Sequence, residues 1–170
     1  DIAIESMYND KPVTMIGEEA FVNCTKITSV AIPDHVTTIG AYAFYKASYS
    51  ATSSNRYLLS IPDDVEYIGG RAFAECNHLT SVIIPNANHD IDLATNVFAL
   101  CPNLESVTLG NSIKEIPLFT FNECTSLESI TIPESVTEID EYAFDGCTSL
   151  STIYCRPITP PAIYYDYSGG

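Results

Sequence analysis

IPESVTEIDEYAFDGCTSLSTIYC, residues 132–155, carries one complete copy of the unit from which the chain is built. Its landmarks are Ile139, Phe144 five residues on, Cys147 three further, Leu150 three further again, then Ile153 and Cys155 spaced by two. Working outward, the same order recurs. The phenylalanine returns as Phe21, Phe44, Phe73, Phe98, Phe121 and Phe144, at intervals of 23, 29, 25, 23 and 23. That is a period of 23 interrupted by insertions of 6 and 2 residues. Before each Phe stands Ile16, Ile39, Ile68, Leu93, Ile116 or Ile139, and after it Cys24, Ala47, Cys76, Cys101, Cys124 or Cys147. Ile27, Leu79, Leu104, Leu127 and Leu150 follow, displaced only in the second unit. Pairs then close each unit: Val30/Ile32, Leu59/Ile61, Val82/Ile84, Val107/Leu109, Ile130/Ile132 and Ile153/Cys155. A fixed period of this length is the mark of a stacked repeat architecture.

Each landmark has a physical reading. A pair spaced by two is a short strand with one buried face, because strand side chains alternate. Pro33, Pro62, Pro85 and Pro133 end most of these strands, since proline cannot donate to a ladder. Ala, Phe, Cys and Leu at relative positions 0, 1, 4 and 7 fit one stripe of a helical turn. Gly17, Gly40 and Gly69 suit the bend leading into it. No single unit can bury its own stripe, so neighbours must stack and identical residues must form ladders. Ile2 and Ile4 align with Val30 and Ile32, so the chain opens on the strand of a partial repeat. Seven strands side by side in one parallel sheet are expected. The expected organisation is a solenoid over residues 1–156, with a partial repeat 1–12 and six repeats over 13–156. Residues 157–170, rich in Pro and Tyr, read as a cap or a truncated next repeat.

The units IPDHVTTIGAYAF (32–44), IPDDVEYIGGRAFAECNHLTSVIIP (61–85) and 132–155 resemble the BspA-like leucine-rich repeats. The tail TIYCRPITPPAIYY (152–165) is similar to a Pro-Pro variant that follows such repeats in Bacteroides-type proteins. The resemblance implies an α/β solenoid: a leucine-rich-repeat right-handed superhelix with one parallel β-sheet face and short helical turns opposite, in about six 23-residue repeats. It also implies an extracellular or cell-surface location and adhesion to a protein or glycan of a host or of neighbouring bacteria. A structural spacer holding other domains off the cell is the alternative. The repeat motif brings no catalytic residues.

Charge narrows the partners. With 22 acidic against 7 basic side chains the net charge is -15, which repels nucleic acid and anionic membrane surfaces. The apolar runs are too short for a spanning helix of ~20 residues. No Cys-x-x-Cys spacing occurs, so the six cysteines read as buried free thiols, with Cys155 alone departing into a strand position. His35, His78 and His89 share no repeat position and read as solvent-exposed. No Ser, Cys or His stands in a triad context, and no cofactor, metal or catalytic group is expected. Asn86, Asn88, Asp90 and Asp92 alternate as calcium ligands would, yet the loop lacks a glutamate at its twelfth position, which is Val97. A polar surface loop is the plainer reading.

The candidate partner-binding residues face outward from the strands: Thr80, Ser81 and Ile83; Glu105, Ser106 and Thr108; Glu128, Ser129 and Thr131; Thr152 and Tyr154. Thr28, Ser29, Ala31 and Ser151 complete this neutral, hydroxyl-rich face, which turns acidic toward its C-terminal end. A solvated face is the competing reading, because Thr simply favours strands. The insertion at Ser48–Arg56 is a second candidate, with Tyr45, Tyr49 and Tyr57 as aromatic anchors. Tyr164, Tyr165 and Tyr167 form a third aromatic group.

Overall fold

The computed structural model describes residues 2–27, 30–47, 57–156 and 162–163. They coil into a solenoid in which each turn lays two short strands against those of its neighbours. The first ladder is the expected one: Ile2–Ala3, Val30–Ala31, Tyr57–Ser60, Leu79–Ile83, Ser106–Thr108, Ser129–Ile132 and Thr152–Cys155. All its pairings are parallel and, apart from a shift between Tyr57 and Leu58, in repeat register, such as Val82 with Val107 and Ile130 with Ile153. Among the described residues, hydrogen bonding divides it into groups of two, three and two strands.

A second ladder was not anticipated. Met15–Ile16, Thr38–Ile39, Tyr67–Ile68 and Asp92–Leu93 form one parallel group, and Glu115–Ile116, Glu138–Ile139 and Ala162–Ile163 another. The aliphatic that precedes each Phe by five is therefore an inward strand residue in its own right. Beneath it lies another column that the repeat carries, Val36, Val65, Ile113 and Val136, all fully or almost fully buried. Because Ala162–Ile163 pairs with Glu138–Ile139, the tail contributes a seventh rung to this ladder. Residues 1–12 also hold more than a strand. Met7–Tyr8 pairs antiparallel with Lys11–Pro12 across Asn9 and Asp10, both at positive φ, as a tight hairpin turn requires.

The expected helical turns are absent from the described residues. The segment around each Phe is a run of β-turns, and its amides explain why. Amides two before, at, and two after the Phe donate to the next coil: Phe21 N to Ala43 O (2.7 Å), Phe44 N to Ala72 O (2.8 Å), Phe73 N to Val97 O (3.0 Å). The amides between them close local turns, as Ala43 N does to Gly40 O and Tyr45 N to Tyr42 O. An α-helix would direct every amide along its own axis and leave none for the neighbouring coil. Alternate amides can point sideways only if the chain passes through the left-handed region at regular points. It does so two before each Phe, at Glu19, Tyr42, Arg71, Asn96, Phe119 and Tyr142, with φ between 54° and 62°. It does so again two after, at Asn23, Lys46, Glu75, Leu100, Glu123 and Gly146.

The glycines serve a different end from the one expected. Gly17, Gly40 and Gly69 are not at positive φ. A Cβ on Gly69 would stand 2.4 Å from Ala41 N, and one on Gly40 2.5 Å from Glu18 N. Those two residues let the backbones of successive coils touch.

Between the ladders runs the core. The six Phe rings stack with centroids 5.0–5.7 Å apart and planes within 13°. The four inner rings are completely or almost completely buried. Deleting one ring of this size from a packed core costs about 3–5 kcal/mol. Ile153 and Cys155, read as inward residues, are both exposed; among the described residues their strand has a ladder neighbour on one side only.

Leu100 tests the turn geometry, since it is 40% exposed at φ 59°. Leu100→Val should lower stability by about 1–2 kcal/mol, because a β-branched side chain resists the left-handed region. Leu100→Asn should be neutral or better. Equal denaturation midpoints for the two variants would contradict the turn run described above.

Candidate functional site

Two columns of side chains project outward from the first ladder. One contains Leu58, Ser81 and Ser106 in direct register, continued by Ser129 and Thr152. The other contains Ser60, Ile83 and Thr108, continued by Thr131 and Tyr154. Small hydroxyl side chains dominate, and some link neighbouring coils. Ser81 and Ser106 hydroxyls lie 2.7 Å apart, Thr80 donates to Tyr57 O (3.3 Å) and Ser151 to Glu128 O (3.3 Å). Glu105 and Glu128 are exposed at the edge of the face, and Tyr154 and Leu58 expose 60% and 51% of their surface. The outward residues predicted from alternation thus stand together on one face. Leu58 and Ser60 belong with them, as the inward pair Leu59/Ile61 implies.

Two candidates move. Tyr57 is buried at 6% exposure and packs in the core, not outward beside the insertion. Alternation along Tyr57–Ser60 turns Tyr57 and Leu59 inward and Leu58 outward. Tyr45 is half-buried, its hydroxyl donating to Glu75 Oε1 while Lys46 Nζ sits 5.0 Å from its ring centre. Lys46 also pairs with Glu75 at 3.3 Å, so this trio ties one coil to the next. Thr28, Ser29, Tyr49, the rest of Ser48–Arg56, and Tyr164, Tyr165 and Tyr167 lie outside the described residues.

The cysteines form a ladder with a chemical purpose. Cys76, Cys101, Cys124 and Cys147 donate their thiols to the carbonyls of Phe44, Phe73, Phe98 and Phe121 at 3.1–3.3 Å. Burial pushes the Cys76 thiol up to about 12 and the Cys147 thiol to about 11, and raises Cys101 and Cys124 as well. These are thiols held neutral, unsuited to nucleophilic attack or metal binding. All six are free, and Cys155 alone is exposed.

Among the described residues no group of three His, Cys, Asp or Glu side chains gathers as a metal would require. In the 86–92 loop, Asn86 Oδ1 accepts from Asn111 N (2.7 Å) and Asp90 pairs with Lys114 (3.4 Å). His89 is not simply exposed. Its Nε2 lies 3.0 Å from Asp63 O and its Nδ1 3.1 Å from Asp90 O. Only the protonated ring can donate to both, and these carbonyls, Asp90 foremost, hold its pKa above the ordinary value.

Acidic side chains accumulate on the second ladder, where Asp92, Glu115 and Glu138 succeed one another near Asp140. Desolvation first, then the charges of Asp140 and Glu138, push Glu115 above the usual glutamate range.

The repeat is matched along its length. A model of the BspA type leucine rich repeat region finds six copies, over residues 1–56 and 48–160. The chain belongs to the BspA-type leucine-rich-repeat family. Solved leucine-rich repeat structures resemble it. A leucine-rich repeat protein of T. pallidum is 28% identical, with a TM-score of 0.78, covering 89% of this chain and 67% of that one. A leucine rich cell surface protein of Faecalibacterium prausnitzii is 29% identical, with a TM-score of 0.54, covering 85% of this chain and 52% of that one. A leucine-rich repeat protein of Bacteroides ovatus is 27% identical, with a TM-score of 0.55, covering 88% and 44% respectively. The chain thus spans about half the length of two of these relatives. No functionally curated protein matches it. No helix long and apolar enough to cross a membrane occurs among the described residues. A BspA-type solenoid is a scaffold of the kind that serves protein interaction and recognition.

Two measurements test the site chemistry. Thiol labelling of the native chain should modify Cys155 rapidly and leave Cys76, Cys101, Cys124 and Cys147 untouched. All six should label after denaturation without reductant; fewer than four would contradict the free ladder. For Glu115 the raised pKa means that its proton stabilises the fold. That stability is present below the usual glutamate range and is lost as pH rises through the raised value. Glu115→Gln should therefore melt higher than the parent at neutral pH, by a few tenths of a kcal/mol (~0.3) given its exposure. The gap should close as pH falls below the glutamate range, and a gap independent of pH would refute the assignment.

Proposed function

We propose that the chain is a non-catalytic recognition module, secreted or displayed on a bacterial surface, that binds a protein or glycan partner through the outward face of the first ladder. The observation that carries this reading is the face itself. It presents two columns of small hydroxyl side chains on strands fixed by parallel pairing, with Leu58 and Tyr154 standing out from it. Hydroxyls that both donate and accept suit polar partners, and a rigid backbone lowers the ordering cost of association. Membership in the BspA-type family supports the recognition role, and a relative described as a cell surface protein supports the location. The best candidate contacts are Ser81, Ser106, Thr108, Glu128, Ser129, Thr131 and Tyr154. The net charge of -15 favours partners that are basic or neutral.

A binding screen of the purified chain against matrix proteins, mucins and bacterial surface extracts, at two salt concentrations, tests the proposal. A saturable interaction weakened at least tenfold by Thr131→Arg, and for a basic partner by Glu128→Lys, is the expected result. Silence across the panel, or binding indifferent to both changes, would favour a spacer role instead.

A further inference from the structure

A polar hollow of the outward face lies where the chain leaves the first ladder, across four successive coils. It encloses about 330 Å³ and is lined by Asn86, Thr108, Asn111, Thr131 and Arg156, over an apolar floor that includes Val107 and Leu109. We propose that this hollow is a binding site for an acidic sugar residue, a hexuronate or a related carboxylated ring. The inference rests on the recognition role proposed above and gives that role a ligand class.

Size and chemistry point the same way. A volume at the lower end for small-molecule sites, ~300–1,000 Å³, fits one ring better than a folded loop. Two threonine hydroxyls and two asparagine amides offer donors and acceptors together, as a polyhydroxylated ring demands. Arg156 supplies the cation. Its guanidinium has no ion pair among the described residues, and a guanidinium fork matches a carboxylate in two parallel hydrogen bonds. In a chain of net charge -15, an anion binds only where such a contact outweighs the repulsion of the whole. Tyr154, in register with Thr131 and 60% exposed, adds an aromatic surface beside the hollow.

A peptide C-terminus would bring a carboxylate too, but it asks for main-chain donors, and several of those around the site are spent. Gly110 N donates to Ile84 O, Asn111 N to Asn86 Oδ1 and Arg156 N to Ile132 O. Position 133 is proline and has no amide to offer.

The test titrates the full chain with methyl glucuronide, with methyl glucoside, and with a triglycine peptide carrying a free C-terminus, while the side-chain amide signals of Asn86 and Asn111 are followed by NMR. Methyl glucuronide should shift those signals saturably, at an affinity at least tenfold above that of the glucoside. Arg156→Gln should remove that preference with the melting temperature unchanged, since the Arg156 side chain is exposed. Thr131→Val should weaken the glucuronide while leaving the thermal unfolding as it was. Equal affinity for glucuronide and glucoside, indifference to Arg156→Gln, or tighter binding of triglycine would each overturn the assignment. Macromolecular binding that responds to Glu128→Lys but not to Arg156→Gln or to competing glucuronide would sink this site and spare the wider reading. Glucuronide binding by a chain that captures no macromolecule would do the reverse.

Discussion

The main-chain ladder between successive coils is the constraint on which the rest depends. Once alternate amides of each turn are committed to the carbonyls of the next coil, every residue has its counterpart from the adjoining repeat as a neighbour at about one strand spacing, ~4.8 Å. Each column must then hold a side chain that tolerates its own kind. Phenylalanine does so by offset stacking, at 5.0–5.7 Å between ring centres. Cysteine does so by turning its thiol to the carbonyl of the preceding coil, as Cys101 does to Phe73 O at 3.2 Å. Serine does so by hydrogen bonding sideways, as Ser81 does with Ser106. Carboxylates tolerate the arrangement least, and Glu115 between its acidic neighbours shows the cost as a raised pKa.

Much of this was legible in the sequence because columns of identical residues are visible as a period. The inward pairs Val82/Ile84, Val107/Leu109 and Ile130/Ile132, the Phe stack and the thiol ladder fall where their spacing puts them. The turn run did not. Spacings of 0, 1, 4 and 7 suit one face of a helix, but a series of β-turns presents the same residues to the core. The positions that distinguish the two bear little αL signature: Glu19, Tyr42, Arg71 and Phe119 look like ordinary surface residues, and only Asn23, Asn96 and Gly146 hint at left-handed backbone. Glycine drew notice at 40 and 69 for its conformational freedom, whereas its missing side chain is what the packing uses.

The outward face was equally legible from alternation alone, except that Tyr57, singled out as a neighbour of the insertion, turns inward in phase with Leu59. The hollow around Arg156 was not. Its lining comes from residues 86, 108, 111, 131 and 156, drawn from four coils and from loops as well as strands. No one repeat contains the pattern, so periodicity cannot reveal it. Asn86 owes its place to the segment where the repeat gains two residues, which is the part of the sequence that departs from its own rule.

The direction of the ladders has a mechanical consequence. Hydrogen bonds such as Phe98 N to Thr120 O run along the long axis of the solenoid, so tension applied to its two ends loads them head-on and not in shear. Bonds loaded in that manner give way in sequence, a coil at a time. Each released coil of 23 residues can extend by up to ~80 Å before the next yields. A tether of this construction lengthens under load while its remaining coils stay folded.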